Sequence, residues 1–265
     1  MKFALLSVDL EKAFDVVDHK RLWEVLERFG LPRTIITMIQ RLYADATSRV
    51  LVKGSLTNSF QIKRSVRQGC PLSMTLFVLY IEALIRQIYA GVRGILIDNR
   101  FFKIRAFADD ITIIIRNDEE FDLVFKIIDD YSLSFGIKLN FKKSNFIRFN
   151  NCRIGPQKVS EKNEIKISGL LVSTCWKEIV NSNFKKLINA LKHSVHMFSS
   201  RKMNLIEKVT VLNTFVLAKL WYVSQVVPPN NMHLAEIKKI TGEFLWSHHK
   251  MFRVQRDQLY LDNSR

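Results

Sequence analysis

Apolar residues along this chain follow two rhythms, which change over near Trp176. Before that point, short β-branched and aromatic runs alternate with longer stretches of helical period. Residues 2–8 read as a buried strand ending at Asp9. His19 to Phe29 carries a helical pattern closed by Gly30, and Pro32 opens a second helix to about Ala44. Ser48–Lys53 and Asn58–Arg64 predict a hairpin with Gly54-Ser55 near its turn. Residues 65–71 form a loop, and Pro71 starts a long apolar helix to about Tyr89. Two strand-like runs, Arg100–Ala106 and Ile111–Ile115, flank Phe107-Ala108-Asp109-Asp110, where a tight turn is expected. Asp118 is placed to cap a helix through Phe121, Val124, Phe125, Ile128 and Tyr131, ended by Gly136. Ser144–Phe149 and Lys166–Val172 predict two further strands.

From Trp176 to Trp246 the period is helical, with breaks near Ser199–Asn204 and at Pro228-Pro229. The fold class expected is therefore α+β followed by an all-helical module. The boundary falls near 155–176, which gives three stretches: 1–155, a connection at 156–176, and 177–265. Trp221, Tyr222, Phe244 and Trp246 lie in the helical stretches and are expected in the core.

Composition narrows the class. At 265 residues and 48% hydrophobic, with 19 Phe, the chain can bury a substantial core, which excludes disorder over most of its length. A formal charge of +16 and a pI near 9.9 favour a polyanionic partner, nucleic acid or an anionic membrane surface. Cys70, Cys152 and Cys175 are widely spaced and odd in number, the pattern of free thiols in a reducing compartment. The apolar run after Met1-Lys2 is too short for a secretory or spanning segment. An apolar strand beginning almost at residue one, and a last stretch 253–265 without a terminal element, read as a piece of a longer protein.

The candidate chemistry is carboxylate. Asp109-Asp110 at a hairpin end fits an ordinary Asp-bearing turn, and Asp9 alone fits a cap or turn residue. Together they place three carboxylates at one sheet edge, where their mutual repulsion would be relieved by a cation. Carboxylate oxygens are hard ligands suited to magnesium or manganese, and two such ions about 3.5–4 Å apart stabilise in-line displacement at phosphorus. No His or Cys joins the cluster, which argues against zinc, and His193, His196, His248 and His249 make no convincing metal set.

These stretches also carry a family resemblance. Leu5-Leu-Ser-Val-Asp-Leu-Glu-Lys-Ala-Phe-Asp15 resembles motif A of reverse transcriptases, in the form found in non-LTR retrotransposons. Arg67-Gln-Gly-Cys-Pro-Leu-Ser73 resembles motif B, and Phe107-Ala-Asp-Asp110 motif C. Phe135–Ser144 resembles motif D and Ile167–Val172 motif E, while Leu217–Val223 and Phe244–Trp246 are similar to thumb segments. The order holds across nearly the whole chain.

The resemblance implies a right-hand polymerase: a palm with part of the fingers over 1–155, a motif E hairpin within 156–176, and a helical thumb over 177–265. It implies an RNA-directed DNA polymerase that uses two Mg2+ ions, or Mn2+, held by Asp9, Asp109 and Asp110. Phe14 would be the ring beneath the incoming sugar that disfavours a 2′-hydroxyl; a plain core Phe is the alternative. Gln68 and Gly69 would meet the template and nucleotide, and Arg67 either a phosphate or solvent. Lys143 is the candidate general acid for pyrophosphate, in competition with Lys138 and Lys142. Gly169 would grip the primer or mark an ordinary bulge. Lys185, Lys186 and the other thumb cations would track a duplex through its phosphates.

The implied partners are an RNA template, a DNA primer and deoxynucleoside triphosphates, with no membrane. The implied setting is a longer polyprotein with an endonuclease domain, acting in the nucleus. Met74-Thr75 departs from the relatives, and the fingers segment upstream of motif A is not in this sequence. A decayed or co-opted copy that binds nucleic acid without catalysis is the competing reading.

Overall fold

The structure is a computed structural model that describes residues 2–150, 152–153, 155 and 158–246. It divides into two compact units, Met1–Ser168 and Gly169–Arg265. The division falls inside the expected connection at 156–176.

The first unit is built on β1 (Phe3–Val8), α1 (His19–Arg28), α2 (Arg33–Ala44), the short strands β2 (Thr47–Ser48), β3 (Leu51–Val52), β4 (Ser55–Leu56) and β5 (Phe60–Gln61), and α3 (Pro71–Gly91). It continues through β6 (Ile95–Ile97), β7 (Arg100–Phe102), β8 (Ile104–Phe107), β9 (Asp110–Ile115), α4 (Asp118–Phe135), β10 (Asn145–Phe149), β11 (Ser160–Glu161) and β12 (Glu164–Ile167). Five strands make the main sheet, in the order β11-β10-β1-β9-β8. β1 is antiparallel to both neighbours, pairing Phe3 with Phe149 on one side and Val8 with Ile111 on the other.

Alternation along β1 buries Ala4, Leu6 and Val8, while β9 buries Ile111, Ile113 and Ile115 on the same face. α3 supplies Leu76, Phe77, Tyr80, Ile81, Leu84 and Ile88 to this core, and α4 supplies Phe121, Val124 and Ile128. Each such side chain contributes roughly 1.5–3 kcal/mol on burial. α3 has the length and apolarity of a membrane span. Here its buried face packs into the core, and Glu82 and Arg86 pair at 2.7 Å on an outer face.

Several local expectations need correction. The hairpin expected over 48–64 is two nested, shorter pairs: β3 with β4 around Lys53-Gly54, and β2 with β5 outside them. Arg100–Ala106 is not one strand. Arg100–Phe102 folds back on Ile95–Ile97 through Asp98-Asn99, both with positive φ, as a two-residue hairpin turn demands. Asn117 rather than Asp118 caps α4, its side chain accepting from the Glu120 amide at 2.9 Å. Asp118 instead accepts from the Gly155 amide at 3.0 Å. Lys166–Val172 is interrupted, because Ser168 (φ 46°) and Gly169 (φ 86°) turn the chain between Ile167 and Leu170.

The second unit comprises β13 (Leu170–Ser173), α5 (Trp176–Ser199), α6 (Leu205–Val211), a π-helical turn Leu212–Leu217, α7 (Ala218–Ser224) and α8 (Asn231–Trp246). Its core gathers Phe184, Ile188, Leu191, Leu212, Val216, Leu220, Ile237, Ile240 and Phe244. Asn183, buried on α5, donates to the Leu171 carbonyl at 2.8 Å and accepts from the Leu171 amide at 3.0 Å. One side chain thus satisfies both backbone groups of a residue on β13. The break near Ser199–Asn204 ends in a capping box made by Asn204 and Glu207. The π-helical turn has no counterpart in the sequence pattern.

Candidate active site

The three carboxylates arrive by two different routes. Asp9 is the first residue past β1. The β1–β9 register runs from Ala4 opposite Ile115 to Val8 opposite Ile111. Asp9 follows directly on Val8 and Asp110 directly precedes Ile111, so the two carboxylates stand at adjacent strand ends. Asp110 is the first residue of β9, paired with Phe107 across the turn, so only Ala108 and Asp109 form the turn itself. Ala108 takes φ 52°, a conformation that costs an L-residue about 1–2 kcal/mol.

Asp109 and Asp110 are exposed and Asp9 is half-buried. Among the described residues, no hydrogen bond or ion pair engages their carboxylates. No three or more His, Cys, Asp and Glu among the described residues already surround a common point. A magnesium ion does not require such a cage, since it keeps several waters and takes one or two carboxylates plus substrate phosphates. Oxygen-only donors without competing cations fit that ion.

The backbone of Asp9 is held by the segment that resembles motif D, at Asn140 and Ser144, two residues for which the sequence suggested no role at the site. Its amide donates to Ser144 Oγ at 3.0 Å, and its carbonyl accepts from the Asn140 amide at 2.8 Å. Glu11 donates to the Lys138 carbonyl at 2.8 Å, and Leu10 and Leu139 bridge. Ser144 is completely buried, the property that marks it, and that property is invisible along the chain. Lys143 lies next to it, exposed, with its amide on the Asn140 carbonyl at 3.2 Å. Lys138 and Lys142 are exposed as well.

Phe14 sits in the turns that follow Asp9. Its ring stacks on Phe77 of α3, with centroids 4.7 Å apart and planes at 22°. Phe77 is fully buried and Phe14 only partly, so the ring is backed from the core while part of it stays open. The Val66 amide donates to the Phe14 carbonyl at 3.0 Å, and Ser65 donates to Val17 at 2.9 Å. These bonds tie the turn bearing Phe14 to the loop bearing Arg67, Gln68 and Gly69, all exposed. Gly69 has φ 82° with nothing near its missing Cβ, so conformation rather than space calls for glycine there. Cys70 follows at the N-terminus of α3, where the Leu72 amide holds its thiol below the ordinary value.

In the helical unit, Lys185 and Lys186 are exposed on α5. Gly169 has φ 86°, and a Cβ there would lie 3.6 Å from the Tyr222 ring, an ordinary contact, so the backbone conformation again selects glycine. Two expectations fail here. Lys208, grouped by its charge with the surface cations, is buried. It donates to the Leu245 carbonyl at 3.2 Å, and burial lowers its pKa. Trp221 and Tyr222, expected in the core, are 56% and 52% exposed, whereas Phe244 is buried as its period implies. His248 and His249 lie outside the described residues.

Comparison with known proteins bears on this arrangement. Residues 2–172 match the family model for reverse transcriptase (RNA-dependent DNA polymerase). Over 256 residues, 93% of the chain, it is 25% identical to the transposon TX1 uncharacterized 149 kDa protein of Xenopus laevis. Over 145 residues, 54% of the chain, it is 30% identical to the retrovirus-related Pol polyprotein from type-1 retrotransposable element R2 of Popillia japonica. The chain spans 20% of the length of each of these two relatives. Among solved structures it is similar to apo telomerase from Candida tropicalis, at TM-score 0.50 and 15% identity, covering 92% of this chain and 46% of that one. That is a likeness of fold alone. With the family model covering residues 2–172, which hold all three carboxylates, the chain belongs to the reverse transcriptase (RNA-dependent DNA polymerase) family.

Proposed function

We propose that the sheet-based unit is the palm of an RNA-directed DNA polymerase and the helical unit its thumb. In this reading the chain is the catalytic module of a longer non-LTR retrotransposon protein working in the nucleus. The observation that carries the reading is the β1–β9 register, which brings Asp9 and Asp110 to adjacent strand ends beside Asp109.

The reaction joins a primer 3′-oxygen to the α-phosphorus of a deoxynucleoside triphosphate. The P–O bond to pyrophosphate breaks, and the hydroxyl proton passes to solvent water. Asp9, Asp109 and Asp110 would hold the divalent ions, which when bound acidify the hydroxyl and neutralise developing charge. Lys143, on a short turn joined to Asp9, would give a proton to the departing pyrophosphate. Phe14, backed by Phe77, would exclude a 2′-hydroxyl, and Gln68 with Gly69 would bound the nucleotide. RNA is the expected template, and exposed thumb lysines such as Lys185 and Lys186 would meet duplex phosphates without reading sequence.

The test is primer extension on poly(rA)/oligo(dT) with magnesium, using the chain and a version extended upstream, each with and without Asp109→Ala. Product from the unmutated protein and a loss of about a thousandfold on Asp109→Ala are expected, the scale of losing a group that stabilises a transition state. Equal product from Asp109→Ala, or none from the extended protein, sinks the reading. Tight duplex binding without extension would instead support a co-opted copy.

A further inference from the structure

We infer that Ser144 is a positioning residue for Asp9, acting through the Asp9 main chain and thereby setting how tightly the site takes a divalent ion. The inference rests on Asp9 being a metal ligand, as proposed above. Paired β1 residues end at Ser7 on the β10 side and at Val8 on the β9 side, so Asp9 lies just beyond the ladder. There its two backbone groups are both taken by one five-residue turn. Ser144 Oγ accepts from the amide at 3.0 Å, and the Asn140 amide donates to the carbonyl at 2.8 Å. The turn is closed on itself by Ser144 donating from its own amide to the Asn140 carbonyl at 2.8 Å.

Ser144 is completely buried, so no water can replace the hydroxyl without rearrangement. Removing it leaves the Asp9 amide without its acceptor. The peptide plane would then be free to rotate, and the carboxylate would move with it. A metal ligand must be held to within about 0.5 Å, so slack here is felt as lost ion affinity before it is felt as unfolding. Ser144 bonds the Asp9 main chain and, among the described residues, no hydrogen bond joins it to the Asp9 carboxylate, so the effect is one of placement.

The experiment compares Ser144→Ala, Ser144→Thr and Ile147→Val in the whole chain. Ile147 is buried on β10, near Ser144 and without a side-chain polar group. Two quantities are read: Mn2+ affinity of the protein by electron paramagnetic resonance, and the Mg2+ concentration for half-maximal primer extension. Both are read at a temperature where circular dichroism shows every variant fully folded, because a partly unfolded population would by itself raise both values. Ser144→Ala is expected to weaken both by roughly 10-fold, the low end for loss of a group that orients a metal ligand. Ser144→Thr, which keeps the hydroxyl, and Ile147→Val, which only thins the core, should both keep wild-type values.

The inference is overturned if Ser144→Ala leaves both values unchanged, or if Ile147→Val moves them as far. An Asp9→Asn arm separates the two levels. If Asp9→Asn weakens Mn2+ binding and Ser144→Ala does not, only the positioning role fails. If Asp9→Asn leaves Mn2+ binding unchanged, the metal-site reading fails, and this inference with it.

Discussion

The sheet-based unit and the helical unit hold their shape by different means. In the first, the candidate site is assembled from residues far apart in sequence: the end of β1 beside the start of β9, Ser144 on the Asp9 amide, Phe14 on Phe77. In the second, the core positions recur at helical intervals along α5, α7 and α8, and the cations ride on the opposite faces. The proposed metal site depends on strand register, in which a one-residue slip would turn Asp9 to the other face. A phosphate-binding surface needs only charge on an exposed helix face and tolerates imprecision.

The largest effect is expected from weakening the sheet-based unit from inside. Ile113→Ala, at the centre of β9, should cost about 2–5 kcal/mol of stability in denaturant unfolding. Phe184→Ala in the helical core should cost a similar roughly 3–5 kcal/mol. Only the first should also raise the Mg2+ requirement of primer extension in the molecules that remain folded. Equal effects of both on the Mg2+ requirement would contradict a site confined to the sheet-based unit.

A second probe stays within the first unit. Phe77→Leu removes the face against which Phe14 stacks and gives the ring room to recede. The preference for dGTP over GTP opposite a template C should fall by roughly 10-fold, the scale on which a pocket discriminates one small group. Unchanged discrimination would return Phe14 to the role of an ordinary core ring.

A smaller effect is expected in the helical unit. Lys185→Gln should lower duplex affinity severalfold and reduce the salt slope by about one. Lys208→Gln should leave that slope alone and lower thermal stability instead, because Lys208 is buried on the Leu245 carbonyl. The same slope for both variants would mean that burial does not sort these lysines.

The smallest effect concerns pH. Tyr80 donates to the Phe135 carbonyl at 2.8 Å, and burial pushes its hydroxyl from 10.0 up to about 12. The unfolded chain therefore loses this proton first. The stability Tyr80 contributes is fully present below about pH 10 and is lost as pH rises towards its folded value. Tyr80→Phe should flatten the fall in melting temperature between those limits.

The elements of both units were legible in the chain because their signals are local. Pro71 at the first position of α3, Gly136 in the left-handed cap of α4, and the β-branched run Ile111–Ile115 each act within a turn or a strand. The misreadings also have local causes. Arg100–Ala106 has uniform strand character, so nothing in its composition announces a break at Lys103 between two hairpins. Lys208 carries the same charge as its exposed neighbours, and only the packing of α8 covers it. Trp221 and Tyr222 are large and aromatic, yet α7 turns them outward.

The strand and helix rhythms, the basic charge, the carboxylate pair at a hairpin end and the family motifs are written along the chain. These follow from side-chain order over a few residues, where period and turn chemistry decide. The sequence pointed to three carboxylates at one sheet edge; folding supplied the β1–β9 register that sets their strand ends side by side, the Ser144 hydroxyl on the Asp9 amide and the burial of Lys208. Those facts depend on hydrogen bonds and packing between segments often more than a hundred positions apart, such as the 135 between Asp9 and Ser144. Such pairings form when loops close and a shared core excludes water, and no window of the chain records them.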